Sequence, residues 1–174
     1  MLTLDETVRY QRQLMISEIG EKGQELLKKA PVLVIGAGGL GSPVLMYLAA
    51  AGVGRIGIVD SDEVNTSNLQ RQILYGTDDI TKPKAEAAAA KLRHMNPHAE
   101  VIAFPVRFTA ENAASLLSGY DVAVDCSDNY STRYILSDAT QRAGIPMVYG
   151  AVREFLGQAS VFNYKGGPSY RDLY

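Results

Sequence analysis

Short runs of apolar, often β-branched residues recur along the chain, separated by longer stretches in which apolar and polar positions mix. The run VLVI at 32–35 and those at 56–59, 101–104, 122–125 and 147–149 have the length and composition of buried strands, and 158–164 reads as a last one. Between them the pattern predicts helices at 42–51, 84–95, 110–117 and 131–143. Ahead of the first strand, Thr3-x-x-Glu6 reads as a capping box opening a helix through RYQRQLM, with Arg9 and Arg12 as neighbours on one face. A second helical piece at 21–29 must stop at Pro31. Alternating strands and helices predict an α/β fold, a mainly parallel sheet with helices on both faces and N-terminal helices before it. Ligands in such sheets bind beyond the carboxyl ends of the strands. Residues 61–83 are polar and too irregular for a packed element, so a long loop with a functional task is expected there.

Composition narrows this picture. With 174 residues, 47% apolar and 21% charged, the chain fits one globular domain, and disordered, collagenous and coiled-coil readings fall away. Seventeen basic residues against nineteen acidic ones, with neither sign in a block, argue against binding nucleic acid by bulk charge. A single cysteine, Cys126, excludes an intrachain disulfide framework, and with two histidines it leaves too few soft ligands for structural zinc. The apolar run at 44–51 is too short to span a bilayer, and an N-terminus carrying acids is no signal peptide. A cytoplasmic protein is expected.

The candidate chemistry lies where the predicted strands end. Gly36-x-Gly38-x-x-Gly41, between a strand and a helix, is a dinucleotide-type fingerprint in which glycines let a phosphate approach a helix N-terminus. Asp60, 24 residues after Gly36, suits ribose hydroxyls. The loop lacks Gly-Lys-Ser/Thr, so any cations must come from elsewhere, and Arg71 of SNLQRQ and Lys84 of KPKAE are the candidates. In Asp125-Cys-Ser-Asp128-Asn129, Asp128 is placed to hold magnesium bridging phosphates. Each has a plainer alternative: a tight turn, a strand-end acid, solvated surface cations, and a helix cap for Asp128. Cys126 reads as a small core side chain.

Taken in order, RYQRQ, GAGGLGS, AAAGVGRIGIVDSDEVNTSNLQRQ, the lysine of KPKAE, the NPH of HMNPHAE and DCSDN make the whole chain resemble the ThiF/MoeB/HesA family, relatives of ubiquitin-activating enzymes. The resemblance implies a Rossmann-like fold, with a single adenylation domain over 1–174 made of a helical arm (1–30) and a core (31–174) shorter than its relatives. It implies an adenylyltransferase. With ATP and Mg2+, such an enzyme would activate the C-terminal Gly-Gly carboxylate of a ubiquitin-like sulfur-carrier protein for thiamin or molybdopterin synthesis, releasing pyrophosphate. By the same resemblance Gly39, in the loop of Gly36, Gly38 and Gly41, approaches the phosphates, and Asp60 binds the ribose. Asn68, Arg71 and Lys84 hold the triphosphate, and Asp128, beside Asn129, binds magnesium. Arg12 would reach the active site of the other subunit in a symmetric homodimer.

Two departures bear on this. Ser169 and Asp172 stand where relatives commonly carry a Cys-x-x-Cys zinc half-site, so no zinc is expected. The chain also stops at Tyr174, where relatives continue with a crossover segment and in some cases a working cysteine, so thioester or persulfide chemistry is not expected here. Three other functions are compatible with the sequence: a noncatalytic carrier-binding or dimerisation module, an adenylating tRNA-modification dehydratase, and an NAD-dependent oxidoreductase.

Overall fold

The structure, a computed structural model, describes all 174 residues. Six strands form one sheet in the order β3-β2-β1-β4-β5-β6: β1 (Pro31–Ile35), β2 (Arg55–Val59), β3 (Glu100–Phe104), β4 (Val122–Asp125), β5 (Met147–Arg153) and β6 (Leu156–Phe162). The first five are mutually parallel, with Val34 of β1 opposite Ile58 and Val124, and β6 runs antiparallel to β5. The central strands read as unbroken apolar runs because both faces are covered. On one face Val34, Ile56 and Ile58 pack under α4 (Gly41–Ala51) and α5 (Lys84–Met95). On the other, Leu33, Ile35 and Ala123 pack under α6 (Ala113–Leu117) and α7 (Tyr130–Ala143). Strand order reverses between β1 and β4, which opens a crevice at their carboxyl ends. No helix is long and apolar enough to cross a membrane.

The N-terminal arm is built as three helices. Thr3 and Glu6 form the reciprocal capping box of α1 (Leu4–Arg9), but the predicted continuous helix breaks at Tyr10 and resumes as α2 (Gln11–Leu14). The break has a tertiary cause. Tyr10 is buried against Gly52, where its ring leaves no room for a Cβ, and its hydroxyl accepts from Asn96 Nδ2 at 2.8 Å. Arg9 therefore ends α1 and Arg12 belongs to α2. From α2, Gln13 donates to the Ala51 carbonyl (3.0 Å), as does Gln24 of α3 (Gly20–Lys29) at 2.9 Å, while Asn96 donates to the Ala49 carbonyl at 2.7 Å. Gln13 and Gln24 thus satisfy the Ala51 carbonyl that the end of α4 leaves open, and Asn96 adds a second bond to the Ala49 carbonyl, which also accepts from Gly52 N–H.

Segment 61–83 departs from expectation. It holds two 3-10 turns, Thr66–Asn68 and Thr77–Asp79, and it packs: Val64, Leu74 and Tyr75 are buried in the core beneath α5. Helix α6 starts at Ala113, three residues later than predicted, because the Asn112 side chain ties Thr109 N–H and the Arg107 carbonyl into a turn. Strand β5 extends to Arg153, and β6 ends at Phe162 because Asn163 takes a left-handed conformation (φ 57°).

Candidate functional site

An open cleft of about 1130 Å³ lies across the carboxyl ends of β1, β2, β4 and β5. Its floor is the glycine loop. Gly36 has φ +94°, and a Cβ there would sit 2.7 Å from the Cys126 carbonyl, so the loop and the end of β4 are in direct contact. A Cβ on Gly41 would overlap the Gly36 carbonyl. Gly41 is buried behind the cleft and serves the turn itself, whereas Gly38 and Gly39 face the opening. Asp60 Oδ2 accepts from Ala37 N–H and Oδ1 from Asp62 N–H, both at 2.8 Å, which stitches the loop to the end of β2. Each oxygen keeps a lone pair for a further donor. Burial raises the Asp60 carboxyl above the ordinary aspartate range, partly opposed by these two N–H groups and by Lys84.

The cations arrive from the next segment. Lys84 is 4% exposed at the first turn of α5, and its ammonium pairs with exposed Asp62 at 2.9 Å, a counter-ion a phosphate can displace. Tyr75, which the sequence did not reveal as a site residue, sets its hydroxyl 2.8 Å from the Ala37 carbonyl and 3.3 Å from that of Lys84, joining the glycine loop to α5. Arg71 is exposed and lies along Gly39, its Cγ 3.6 Å from where a Cβ would stand. Asn68 is not on the cleft wall. Its carbonyl accepts from Arg71 and Gln72 N–H, so it builds the turn that carries Arg71. Gln72, also unforeseen, is buried beside Gly38 with its Oε1 unpartnered.

On the opposite wall, buried Asp125 accepts from Ser127 N–H (2.9 Å) and Oγ (2.6 Å). Burial, and then the neighbouring Asp125, push the Cys126 thiol up to about 12, which fits a core side chain and not a nucleophile. Exposed Asp128 faces the cleft, and the cap of α7 is made by Asn129, whose Oδ1 accepts from Thr132 N–H at 2.9 Å. The cap considered for Asp128 thus belongs to Asn129. No three His, Cys, Asp or Glu side chains gather to hold a metal by protein ligands alone. A single exposed carboxylate does fit an ion whose remaining ligands are phosphate oxygens and water. Arg12 is exposed on α2, away from the cleft of its own chain. Ser169 Oγ and N–H both donate to Asp172, at 2.8 and 2.7 Å.

This arrangement of loop amides, strand-end carboxylates and two cations can hold a polyanionic nucleotide. The sequence signature of the ThiF family matches residues 10–174. The chain belongs to the ThiF family. Among ThiF-family relatives, a sulfur carrier protein adenylyltransferase of Thermus thermophilus is 50% identical over 99% of this chain and 65% of its own length. A probable molybdopterin-synthase adenylyltransferase of Porphyra purpurea is 47% identical over 99% of this chain and 45% of its own length. This ThiF-family chain therefore spans about half to two thirds of the length of these relatives. The E. coli tRNA N6-threonylcarbamoyladenosine dehydratase, solved in complex with ATP, has a TM-score of 0.81 and 29% identity, covering 88% of this chain and 65% of that one.

Proposed function

We propose that this chain uses ATP to adenylate the C-terminal Gly-Gly carboxylate of a ubiquitin-like sulfur-carrier protein, releasing pyrophosphate. One observation carries the reading: the glycine loop, Asp60, Arg71, Lys84 and Asp128, distant in sequence, line a single cleft. In the reaction a carboxylate oxygen of the carrier bonds to the α-phosphorus, and the bond from that phosphorus to the α,β-bridging oxygen breaks. The electron pair leaves with pyrophosphate, whose charge Arg71 and Lys84 offset. Gly38 and Gly39 let the phosphates approach the backbone, and Asp60 accepts from ribose hydroxyls with its remaining lone pairs. Asn68 supports the triphosphate through the turn bearing Arg71. Asp128 and the phosphate oxygens would hold Mg2+, which when bound supplies charge neutralisation at the phosphates.

The names of the relatives support a sulfur carrier, and carriers of thiamin and of molybdopterin synthesis are both to be tried. The reading includes a cytoplasmic homodimer in which Arg12, remote from its own cleft, serves the partner's. It also treats 1–174 as one adenylation domain, with 1–30 as arm and 31–174 as core. The test is carrier-dependent exchange of labelled pyrophosphate into ATP, run beside a carrier lacking its last glycine. Exchange is expected with the intact carrier alone. Arg71→Ala and Asp128→Ala, both on exposed positions, should each lower it by about 100-fold or more with circular dichroism unchanged. Full activity in both variants, or calorimetric binding of NAD without ATP, overturns the reading.

A further inference from the structure

Arg133 has no part in the roles above, yet it is 8% exposed, bears a charge and lines the cleft. Its Nη2 donates to the Ser127 carbonyl at 2.9 Å, and its guanidinium lies 5.5 and 5.3 Å from the ring centres of Tyr130 and Tyr149. Its Nε stands 3.5 Å from Asp125 Oδ2, and neither atom has a hydrogen-bond partner. Asp125 spends its other oxygen on Ser127 N–H and Oγ. Ser127 is thus gripped from both ends, its N–H and hydroxyl by Asp125 and its carbonyl by Arg133. The preceding carbonyl, that of Cys126, rests against Gly36, where no Cβ fits. The residue after this gripped one is Asp128.

We infer that Arg133 and Asp125 are positioning residues, a buried pair that fixes the Ser127 peptide and so sets the place of the Asp128 carboxylate relative to the glycine loop. The inference rests on the proposed nucleotide site with Asp128 as its metal-holding carboxylate. A buried ion pair is weak evidence for stability, because desolvation offsets much of the attraction, so a role in geometry is the better account of why the charges are there. The forked guanidinium also does what an ammonium cannot: it bonds a carbonyl through one nitrogen while another faces a carboxylate, with its carbon near two aromatic rings.

The test loads the protein with a nonhydrolysable ATP analogue and follows Mn2+ binding by the paramagnetic resonance signal of the free ion. In Arg133→Met and Asp125→Asn the affinity for Mn2+ should fall about 10- to 100-fold, with metal-free analogue affinity within about threefold of wild type. Arg133→Lys should lie between, since it keeps the positive charge beside Asp125 while its ammonium ends one bond short of the nitrogen that bonds the Ser127 carbonyl. A purely structural role would lower the melting temperature and leave the Mn2+ curve of the folded protein unmoved, which overturns the inference. Asp125→Asn preserves shape and carries the test if Arg133→Met does not fold. Wild type that binds analogue and Mn2+ but shows no carrier-dependent exchange would remove the carrier reading while the Mn2+ curves still decide the positioning role. Wild type that binds no Mn2+ with the analogue overturns the inference, whatever the exchange assay shows for the carrier reading.

Discussion

The glycines of the loop separate into two kinds once the space beside each is measured. At Gly36 and Gly41 an added Cβ meets backbone carbonyls, which cannot swing aside, and Gly36 also needs its positive φ. Alanine at either position should destabilise the fold by about 1–3 kcal/mol, read as a lower urea midpoint. At Gly39 the nearest atoms belong to the flexible Arg71 side chain, at ordinary contact distance. Gly39→Ala should therefore leave the urea midpoint where it is and still weaken ATP binding about tenfold or more by calorimetry, because the methyl stands where a phosphate must approach the backbone. A midpoint lowered as far as in Gly41→Ala, or unchanged ATP affinity, would show that Gly39 belongs with the turn and not with the ligand.

At the scale of elements, segment 61–83 shows how a connection becomes part of the core. Burial alone would raise the Asp79 carboxyl, but bonds from Lys91, from Gly76 N–H and from Lys82 hold it down at about 2. A carboxyl lowered on folding contributes stability that is full above the ordinary aspartate range and lost as pH falls toward the folded value. Asp79→Asn should cost about 1 kcal/mol at pH 7 and flatten the acid limb of stability between about pH 4 and 2, measured by urea midpoints across that range. An unchanged acid limb would mean that other carboxylates govern it. Glu6, also held at about 2 by Lys28 and Thr3 against its burial, is the next to substitute.

The same segment marks where sequence reading stops. The strands and the glycine loop were legible because two buried faces impose an apolar run and a tight turn imposes glycine, both local consequences. Val64, Leu74 and Tyr75 follow no period, so their burial could not be read. Tyr10 ends its helix through contacts with Gly52 and Asn96, far along the chain. Arg133, one turn into a mixed helix, has the pattern of a surface residue; its carbonyl partner, that of Ser127, is local, but the Tyr149 ring beside it comes from β5 and its burial follows from the sheet. Asp60, Arg71, Lys84 and Asp128 were named from motifs, and their meeting in one cleft is a property of the fold.

For the molecule as a whole, the residue that tests the proposal most severely is Arg12, because no movement of its own site is invoked to bring it there. The arm that carries it is fixed, with Tyr10 and Gln13 bonded to Asn96 and Ala51 on either side of it, while Arg12 itself points from the exposed side. If it acts at the active site, it acts at that of a second copy, and each site then combines Arg12 of one protomer with Asp128 of the other. Arg12→Ala and Asp128→Ala homodimers should both be inactive. In a mixed dimer one site keeps both residues and the other has neither. Random equimolar exchange of the two variants should therefore restore about one quarter of wild-type pyrophosphate exchange, since half the dimers are mixed and half their sites are intact. No recovery in a dimer shown by differential tagging to be mixed would rule out sharing of Arg12, whereas full activity of Arg12→Ala alone would leave Arg71 and Lys84 as the cations of the site.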